Sequence, residues 1–232
     1  MTIPIKIISK KEYLKNNPEP NQEKVWDEIA KSVAKRNFFK VRELNAVHEF
    51  LKNKQGVVID LGCGAGWNMV VNKDILYYGV DFSNESIKLS KKNAEKKGIK
   101  TKLFKEDVSK LDKSIFKNEM FDYGLFIATL HCIEGEKKRE NALKELFRIL
   151  KSGAEALISV WNSEDERFDG LKDDIYMSWK EGGISYMRYY HLYDKREIID
   201  LLEKVGFKII EEYKSREHDR FSRKNWIFKI KK

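Results

Sequence analysis

The sequence predicts an α/β domain with a doubly wound, mainly parallel, seven-stranded sheet and an antiparallel hairpin at one edge. Three observations lead to this fold class. Short apolar runs alternate with amphipathic helical segments over most of the 232 residues. A glycine-rich turn at 62–66 directly follows the first apolar run. The last two predicted strands, 207–213 and 225–230, are joined without a helix, so we expect them to pair antiparallel.

Length and composition favour one domain over 1–232. The hydrophobic fraction of 41% is enough for a core. No apolar run approaches the length of a membrane span, and the N-terminus lacks the apolar stretch of a signal peptide. We therefore expect a cytoplasmic protein without a membrane partner. Its two cysteines, Cys63 and Cys132, suit neither a disulfide framework nor a metal site, and we expect both to line a pocket.

Residues ahead of the first strand are expected to form an arm and two helices. The segment 1–22 is polar and holds all three prolines, which predicts an arm that packs only in part. Within 23–55, apolar residues recur at helical spacing and predict helices at about 23–34 and 41–51.

Strands and helices then alternate. Predicted strands cover 57–61, 76–81, 101–105, 122–127 and 155–161, and predicted helices cover 67–73, 84–97, 137–150 and 195–204. The stretch 162–194 breaks this alternation and is long for a connection. It is rich in aromatic residues, which argues against disorder, so we predict a lid over the substrate pocket.

Acidic residues mark the carboxyl ends of three successive strands, the edge where such sheets bind ligands. Asp81 suits the two hydroxyls of a ribose, and Asp107 suits an adenine amino group. Asp60 precedes three evenly spaced glycines and would repel a phosphate. The glycine spacing also differs from the Gly-x-Gly-x-x-Gly of dinucleotide sites. These features predict a nucleoside-bearing cofactor with a cationic end.

This arrangement resembles the S-adenosylmethionine-dependent methyltransferases of the Rossmann-like class, known as the class I methyltransferase fold. The resemblance implies S-adenosylmethionine as the cofactor. The residues assigned to its site are Asp60, Gly62, Cys63, Gly64, Gly66, Asn68, Asp81, Phe82, Asp107, Val108 and Ala128.

The residues after the fourth strand bear on the methyl acceptor. The segment from Phe126 to Ile133 lacks the Asn- or Asp-Pro-Pro-aromatic clamp common in enzymes that methylate base amino groups, so that reaction is disfavoured. His131 lies in this segment, and three roles remain open for it: a base, a hydrogen-bond donor to an anionic substrate, or a buried part of the pocket wall.

A narrower resemblance covers residues 23–232. The helix from Val25 to Ala30 followed by Arg36, the segment from Ile127 to His131, Val160-Trp161, the segment from Arg188 to Tyr193 and the closing segment 225–228 resemble the tRNA wobble-uridine carboxymethyl methyltransferases. The resemblance implies esterification of the carboxylate of 5-carboxymethyluridine in tRNA. It also implies a small activator protein, often with a zinc ribbon, as partner.

An ionised carboxylate needs placement and exclusion of water rather than a strong base. We therefore expect Arg188 to hold the substrate carboxylate bidentately, with His131 and His191 orienting it. Arg36 is expected near the substrate or the methionine carboxylate of the cofactor.

The net charge of +9 is unevenly distributed. Lys and Arg exceed the acidic residues within 1–59, 88–110 and 204–232, whereas 111–203 is acidic. A basic surface would attract RNA, although a solvated lysine-rich face explains the charge equally well. Basic residues that would contact tRNA phosphates lie near the last turn, namely Lys214, Arg216, Arg220, Arg223 and Lys224.

Two further hypotheses stay open on the sequence alone. The chain would methylate a carboxylate or hydroxyl of a small molecule, or it would be a non-catalytic, cofactor-binding RNA or assembly module. The acids Asp60, Asp81 and Asp107 argue against the second of these.

Overall fold

The computed structural model describes residues 5–35, 45–213 and 225–232, with the side chains of 33–35 left aside. The strands are β1 (Ile7–Ser9), β2 (Gly56–Leu61), β3 (Ile75–Asp81), β4 (Thr101–Lys105), β5 (Phe121–Ile127), β6 (Leu150–Trp161), β7 (Asp173–Glu181), β8 (Ile184–Leu192), β9 (Lys208–Tyr213) and β10 (Asn225–Lys231). The helices are α1 (Lys10–Leu14), α2 (Gln22–Lys35), α3 (Asn45–Leu51), α4 (Asn84–Lys97), α5 (Glu136–Ile149) and α6 (Lys195–Val205).

The large sheet has seven strands in the order β4-β3-β2-β5-β6-β10-β9. The five strands from β4 to β6 run parallel, and β10 pairs antiparallel with both β6 and β9. The predicted fold class, including the antiparallel edge hairpin, is confirmed.

Helices cover both faces of this sheet, as the alternation predicts. Successive residues of β2 face opposite sides, so Val58 and Ile59 belong to different core clusters. On one side Ile59 shares a cluster with residues of α5 and α6, such as Leu146. On the other, Val58 shares a cluster with Leu51 of α3 and residues of α4.

Helix α4 has the bounds that the sequence predicts because both of its ends carry a cap. The Ser83 hydroxyl accepts a hydrogen bond from the Ser86 backbone N–H at 3.0 Å. At the other end, Gly98 takes the left-handed conformation, with φ of 67°. This helix begins directly after the acid that ends β3, which places its first turn beside the ligand-binding edge of the sheet.

The predicted helix at 67–73 is wrong, since this segment forms turns. Its backbone is committed to other contacts: the Tyr77 hydroxyl donates to the carbonyl oxygen of Asn68 at 2.6 Å. That carbonyl would otherwise accept a helical hydrogen bond. Of the second predicted N-terminal helix, residues 45–51 form α3, and 41–44 lie outside the described residues.

A second, three-stranded antiparallel sheet combines parts of the predicted arm and of the predicted lid, in the order β1-β7-β8. Strand β1 pairs with β7, so this part of the arm is more ordered than the sequence suggests. Alternation gives the small sheet two faces. Tyr176 and Tyr189 pack with Tyr13 on one face, and Met177 and Tyr190 pack on the other.

Within the described residues, no helix has both the length and the apolar character needed to cross a lipid bilayer.

Candidate active site

A cavity of about 830 Å³ opens at the carboxyl ends of the parallel strands. Its floor is formed by the glycine turn after β2 and by residues that follow β3, β4 and β5. Helix α2 and the β7–β8 hairpin contribute the remaining walls. The position matches the ligand site expected for a doubly wound sheet.

The glycine turn depends on conformations that other residues rarely adopt. Gly62 has a φ of +73°, and a Cβ built on it would lie 2.2 Å from Cγ2 of Thr129. The Thr129 hydroxyl donates to the carbonyl oxygen of Gly62 at 3.2 Å, which joins this turn to the loop after β5. Gly62 therefore allows the two loops that border the cavity to approach each other closely.

Asp81 connects the glycine turn to the start of α4. Its carboxylate accepts the backbone N–H of Gly64 and that of Ser83, each at 2.9 Å. Each carboxylate oxygen can accept a further hydrogen bond, so the group retains capacity for a ribose diol. Burial raises the pKa of Asp81 to about 6, an effect that the two backbone donors oppose.

Asp60 lies below the cavity floor rather than in its lining. It is fully buried, and the Asn68 amide donates to both carboxylate oxygens at 3.3 Å. Burial raises the pKa of Asp60 to about 7, with a further contribution from the nearby Asp81. Two acids so close together favour a cationic ligand over a phosphate, which fits a sulfonium cofactor.

Asp107 lines the cavity on the side of β4. Its Oδ1 accepts both the backbone N–H and the hydroxyl of Ser109, at 2.9 and 2.7 Å. This fixes the carboxylate and leaves Oδ2 available for a ligand amino group. Phe82 and Val108 line the same part of the cavity and provide an apolar surface for a purine ring.

Most residues assigned to the cofactor from the sequence share this one cavity. Those in its lining are Gly62, Cys63, Gly64, Asn68, Asp81, Phe82, Asp107, Val108 and Ala128. Asp60 and Gly66 support the lining from below or beside it. Both cysteines line the cavity as free thiols, as predicted.

His131 lines the cavity at the end of a short 3-10 turn and is almost fully buried. Its Nδ1 accepts the backbone N–H of Trp161 at 3.2 Å, which requires Nε2 to carry the hydrogen in the neutral ring. Burial lowers the pKa of His131 to about 3, and the charges of His191 and Arg167 act in the same direction. His131 is therefore neutral and serves as a pocket wall with one N–H donor, not as an effective base at neutral pH.

Arg188 enters the cavity from β8 between two aromatic rings. The guanidinium carbon lies 5.4 Å from the centre of the Trp179 ring and 5.4 Å from that of Tyr190. Its Nη2 makes a long contact of 3.5 Å with the carbonyl oxygen of Ser178. In the described part of the chain no carboxylate pairs with Arg188, and its buried Nε lacks a hydrogen-bond acceptor. The side chain is positioned to bind an anion.

His191 does not line the cavity, which corrects the expectation that it orients the substrate. Its Nδ1 lies 2.8 Å from Oδ1 of Asp174, and its Nε2 lies 2.7 Å from Oε1 of Glu197. Burial opposes its charge, but the two carboxylates outweigh this and raise the pKa of His191. The residue joins the small sheet to α6. The reason is alternation along β8, where Arg188 and His191 face opposite sides.

Arg36 and the predicted tRNA-contacting residues Lys214, Arg216, Arg220, Arg223 and Lys224 lie outside the described residues. Several lining residues were not assigned from the sequence, above all Trp26, Trp179 and Tyr190. The apolar spacing of the first helix and the aromatic content of 162–194 marked these segments, but neither pattern shows which side chains face a ligand.

Comparison with known proteins agrees with this geometry. A family profile described as "Methyltransferase domain" matches residues 52–206. The Schizosaccharomyces pombe protein named "tRNA (carboxymethyluridine(34)-5-O)-methyltransferase" is 28% identical over 215 residues, covering 81% of this chain and 88% of that protein. An Arabidopsis thaliana protein of the same name is 30% identical over 156 residues, but these cover 66% of this chain and only 36% of that protein.

Among solved structures, a Burkholderia thailandensis 1,6-didemethyltoxoflavin-N1-methyltransferase with bound S-adenosylhomocysteine superposes with a TM-score of 0.66. The match covers 94% of this chain and 92% of that one at 16% identity, which shows the shared fold. The predicted enzyme class and cofactor are thereby confirmed. The chain belongs to the "Methyltransferase domain" family and is a Rossmann-like methyltransferase that uses S-adenosylmethionine.

Proposed function

We propose that this methyltransferase esterifies the carboxylate of 5-carboxymethyluridine at the wobble position of tRNA. The observation that carries the proposal is Arg188, a guanidinium that lines the same cavity as the cofactor residues and has no carboxylate partner among the described residues. A planar guanidinium matches a carboxylate through two parallel hydrogen bonds. The names of the Schizosaccharomyces pombe and Arabidopsis thaliana relatives support this acceptor.

The side chains around Arg188 suit ester formation. S-Adenosylmethionine supplies the methyl group, and a new bond from the carboxylate oxygen to the methyl carbon replaces the carbon–sulfur bond. The acceptor is already ionised at neutral pH, so no proton has to be removed. A neutral His131 with a pKa of about 3 is consistent with such a reaction, since it can donate a hydrogen bond but is a weak base.

Arg188 has a second task, which is to hold one carboxylate oxygen while the other faces the methyl group. Trp179 and Tyr190 fix the guanidinium plane from β7 and β8, so the β7–β8 hairpin acts as the lid. The aromatic rings also exclude water from the anion, which strengthens its attraction to the guanidinium and removes a solvation shell from the nucleophile.

The proposed RNA substrate is supported by charge close to the cavity. Helix α4 contributes Ser86 and Leu89 to the lining. Its opposite side carries exposed lysines at Lys91, Lys92 and Lys96. A phosphate backbone on this face would lie one helix diameter from the site, and its binding would weaken as salt rises.

The proposed partner beyond tRNA is the small zinc-ribbon activator protein implied by the sequence resemblance, and the proposed compartment is the cytoplasm. Transfer measured with and without such an activator tests the partnership. Activity that is unaffected by the activator at any concentration would contradict it.

To test the acceptor, the protein is incubated with methyl-labelled cofactor and, separately, with tRNA that contains carboxymethyluridine, tRNA that lacks it, and a tRNA-free metabolite extract. We expect label only in the first sample, and we expect mild alkali to release it as methanol because the product is an ester. Asp81→Ala, which should abolish cofactor binding, is the negative control. Label confined to metabolites, or stable to alkali, would refute the proposal.

A further inference from the structure

Two hydrogen-bond donors in the cavity wall have no acceptor in the described part of the chain. One is the Nε of Arg188, and the other is the indole Nε1 of Trp26 on α2. Both nitrogen atoms are buried from solvent. Buried N–H groups in folded proteins are almost always paired, because an unpaired one costs free energy. Two such donors at one cavity therefore indicate a ligand with at least two acceptor atoms.

The two donors lie against the same aromatic ring. The Trp26 and Tyr190 rings meet edge to face, with centroids 6.3 Å apart and an interplanar angle of 89°. The Arg188 guanidinium carbon lies 5.4 Å from the centre of that same Tyr190 ring. Trp26 also packs with the cluster that contains Trp161 and Cys132, on the side of the cavity that carries His131. It thus lies beside the proposed acceptor site.

Helix α2 holds Trp26 firmly because it is attached on both sides. Toward α4, Oδ1 of Asp27 accepts the Ser83 hydroxyl at 2.6 Å and the Glu85 backbone N–H at 3.2 Å. Toward the hairpin, the Gln22 side chain accepts the backbone N–H of Tyr189 at 2.9 Å and donates to the Met187 carbonyl at 3.2 Å. A donor fixed in this way loses little entropy when a ligand binds.

We propose that Trp26 is a specificity-determining residue whose indole N–H donates a hydrogen bond to the ring carbonyl oxygen of the substrate next to the carboxymethyl group. This inference rests on the proposed function. The carboxymethyl group stands on C5 of the pyrimidine, adjacent to the C4 carbonyl. When Arg188 binds the carboxylate, that carbonyl comes close to the Tyr190 ring, where the Trp26 N–H lies. The pair of donors reads a carboxylate and a neighbouring carbonyl together.

The test compares the unaltered protein with Trp26→Phe, which keeps an aromatic ring and removes the N–H. Two substrates are used: tRNA with carboxymethyluridine, and the same tRNA with a C4 thiocarbonyl, which is a much weaker acceptor. For the carbonyl substrate we expect Trp26→Phe to raise KM roughly 10-fold with kcat and the cofactor Kd unchanged. For the thiocarbonyl substrate we expect the two proteins to have the same KM.

Trp226→Phe is the matched control, because the Trp226 indole N–H donates to the carbonyl oxygen of Tyr193 at 3.3 Å outside the cavity. It should lower thermal stability without changing KM. No transfer by the unaltered protein would overturn the proposed function and this inference with it. Transfer by the unaltered protein, combined with an unchanged KM for Trp26→Phe or with equal losses on both substrates, would overturn this inference alone.

Discussion

Replacing Arg188 with alanine tests the proposed contact to the substrate carboxylate. Two charge-assisted hydrogen bonds are removed, each worth about 1.5–3 kcal/mol when fully formed. Arg188 is only half-buried, so solvent reduces this sum. We expect a loss of about 3 kcal/mol in transition-state binding, or roughly 100-fold in kcat/KM.

Arg188→Lys separates charge from geometry. It keeps the cation but loses the planar fork and its contacts with the Trp179 and Tyr190 rings. We therefore expect an intermediate loss of about 10-fold in kcat/KM for this variant.

The assay is initial-rate methyl transfer to tRNA, with the cofactor Kd measured separately by calorimetry. Arg167→Lys is the matched control. Arg167 also lies over two aromatic rings, those of Trp161 and Phe168, but does not line the cavity. The control should retain transfer. An unchanged kcat/KM for Arg188→Ala, or a loss of cofactor affinity as large as the loss of transfer, would refute the role of Arg188.

Three further predictions concern stability. Gly62→Ala should abolish cofactor binding in calorimetry and lower Tm sharply, because its Cβ would lie 2.2 Å from Thr129, whereas Gly170→Ala, with a similar φ of +74° and open space, should cost only about 1–2 kcal/mol; equal shifts would contradict this. Asp60 has a raised folded-state pKa of about 7, so its contribution is greatest below the unfolded pKa and falls as pH rises through 7. Urea unfolding of the cofactor-free protein should show this fall, and Asp60→Asn should lack it. His191 also has a raised pKa, so its stabilisation, about 1 kcal/mol after allowance for its partly exposed carboxylate partners, is present at low pH and lost above the raised pKa. In urea unfolding, His191→Gln should be less stable than the unaltered protein at pH 5 and nearly equal to it at high pH.

Where local signals and tertiary structure agree, the sequence was sufficient. Helix α4 was predicted at its observed bounds because Ser83 and Gly98 provide caps that act within a few residues. The glycine turn and the acids after β3 and β4 were placed correctly because chain order alone brings parallel strand ends to one edge.

The predictions failed where distant contacts decide the conformation. The segment 67–73 has an apolar pattern that suits a helix, but Tyr77 and Asp60 bind the backbone and side chain of Asn68 and hold it in turns. Neither contact can be read from local spacing.

Arg188 and His191 were assigned one role because they are close in the sequence. Once β8 is known to be a strand, its period of two separates them: Arg188 and Tyr190 face the cavity, and His191 faces α6. The donors of Trp26 remained unnoticed because an unpaired N–H is a property of the folded state.

The most direct test of the account is the identity of the wobble nucleoside after reaction. tRNA with carboxymethyluridine is incubated with the protein, cofactor and activator, digested to nucleosides and analysed by mass spectrometry. The account predicts conversion of carboxymethyluridine to its methyl ester, no conversion with Asp81→Ala, and strongly reduced conversion with Arg188→Ala. Methylation at another nucleoside, or on nitrogen, would contradict it.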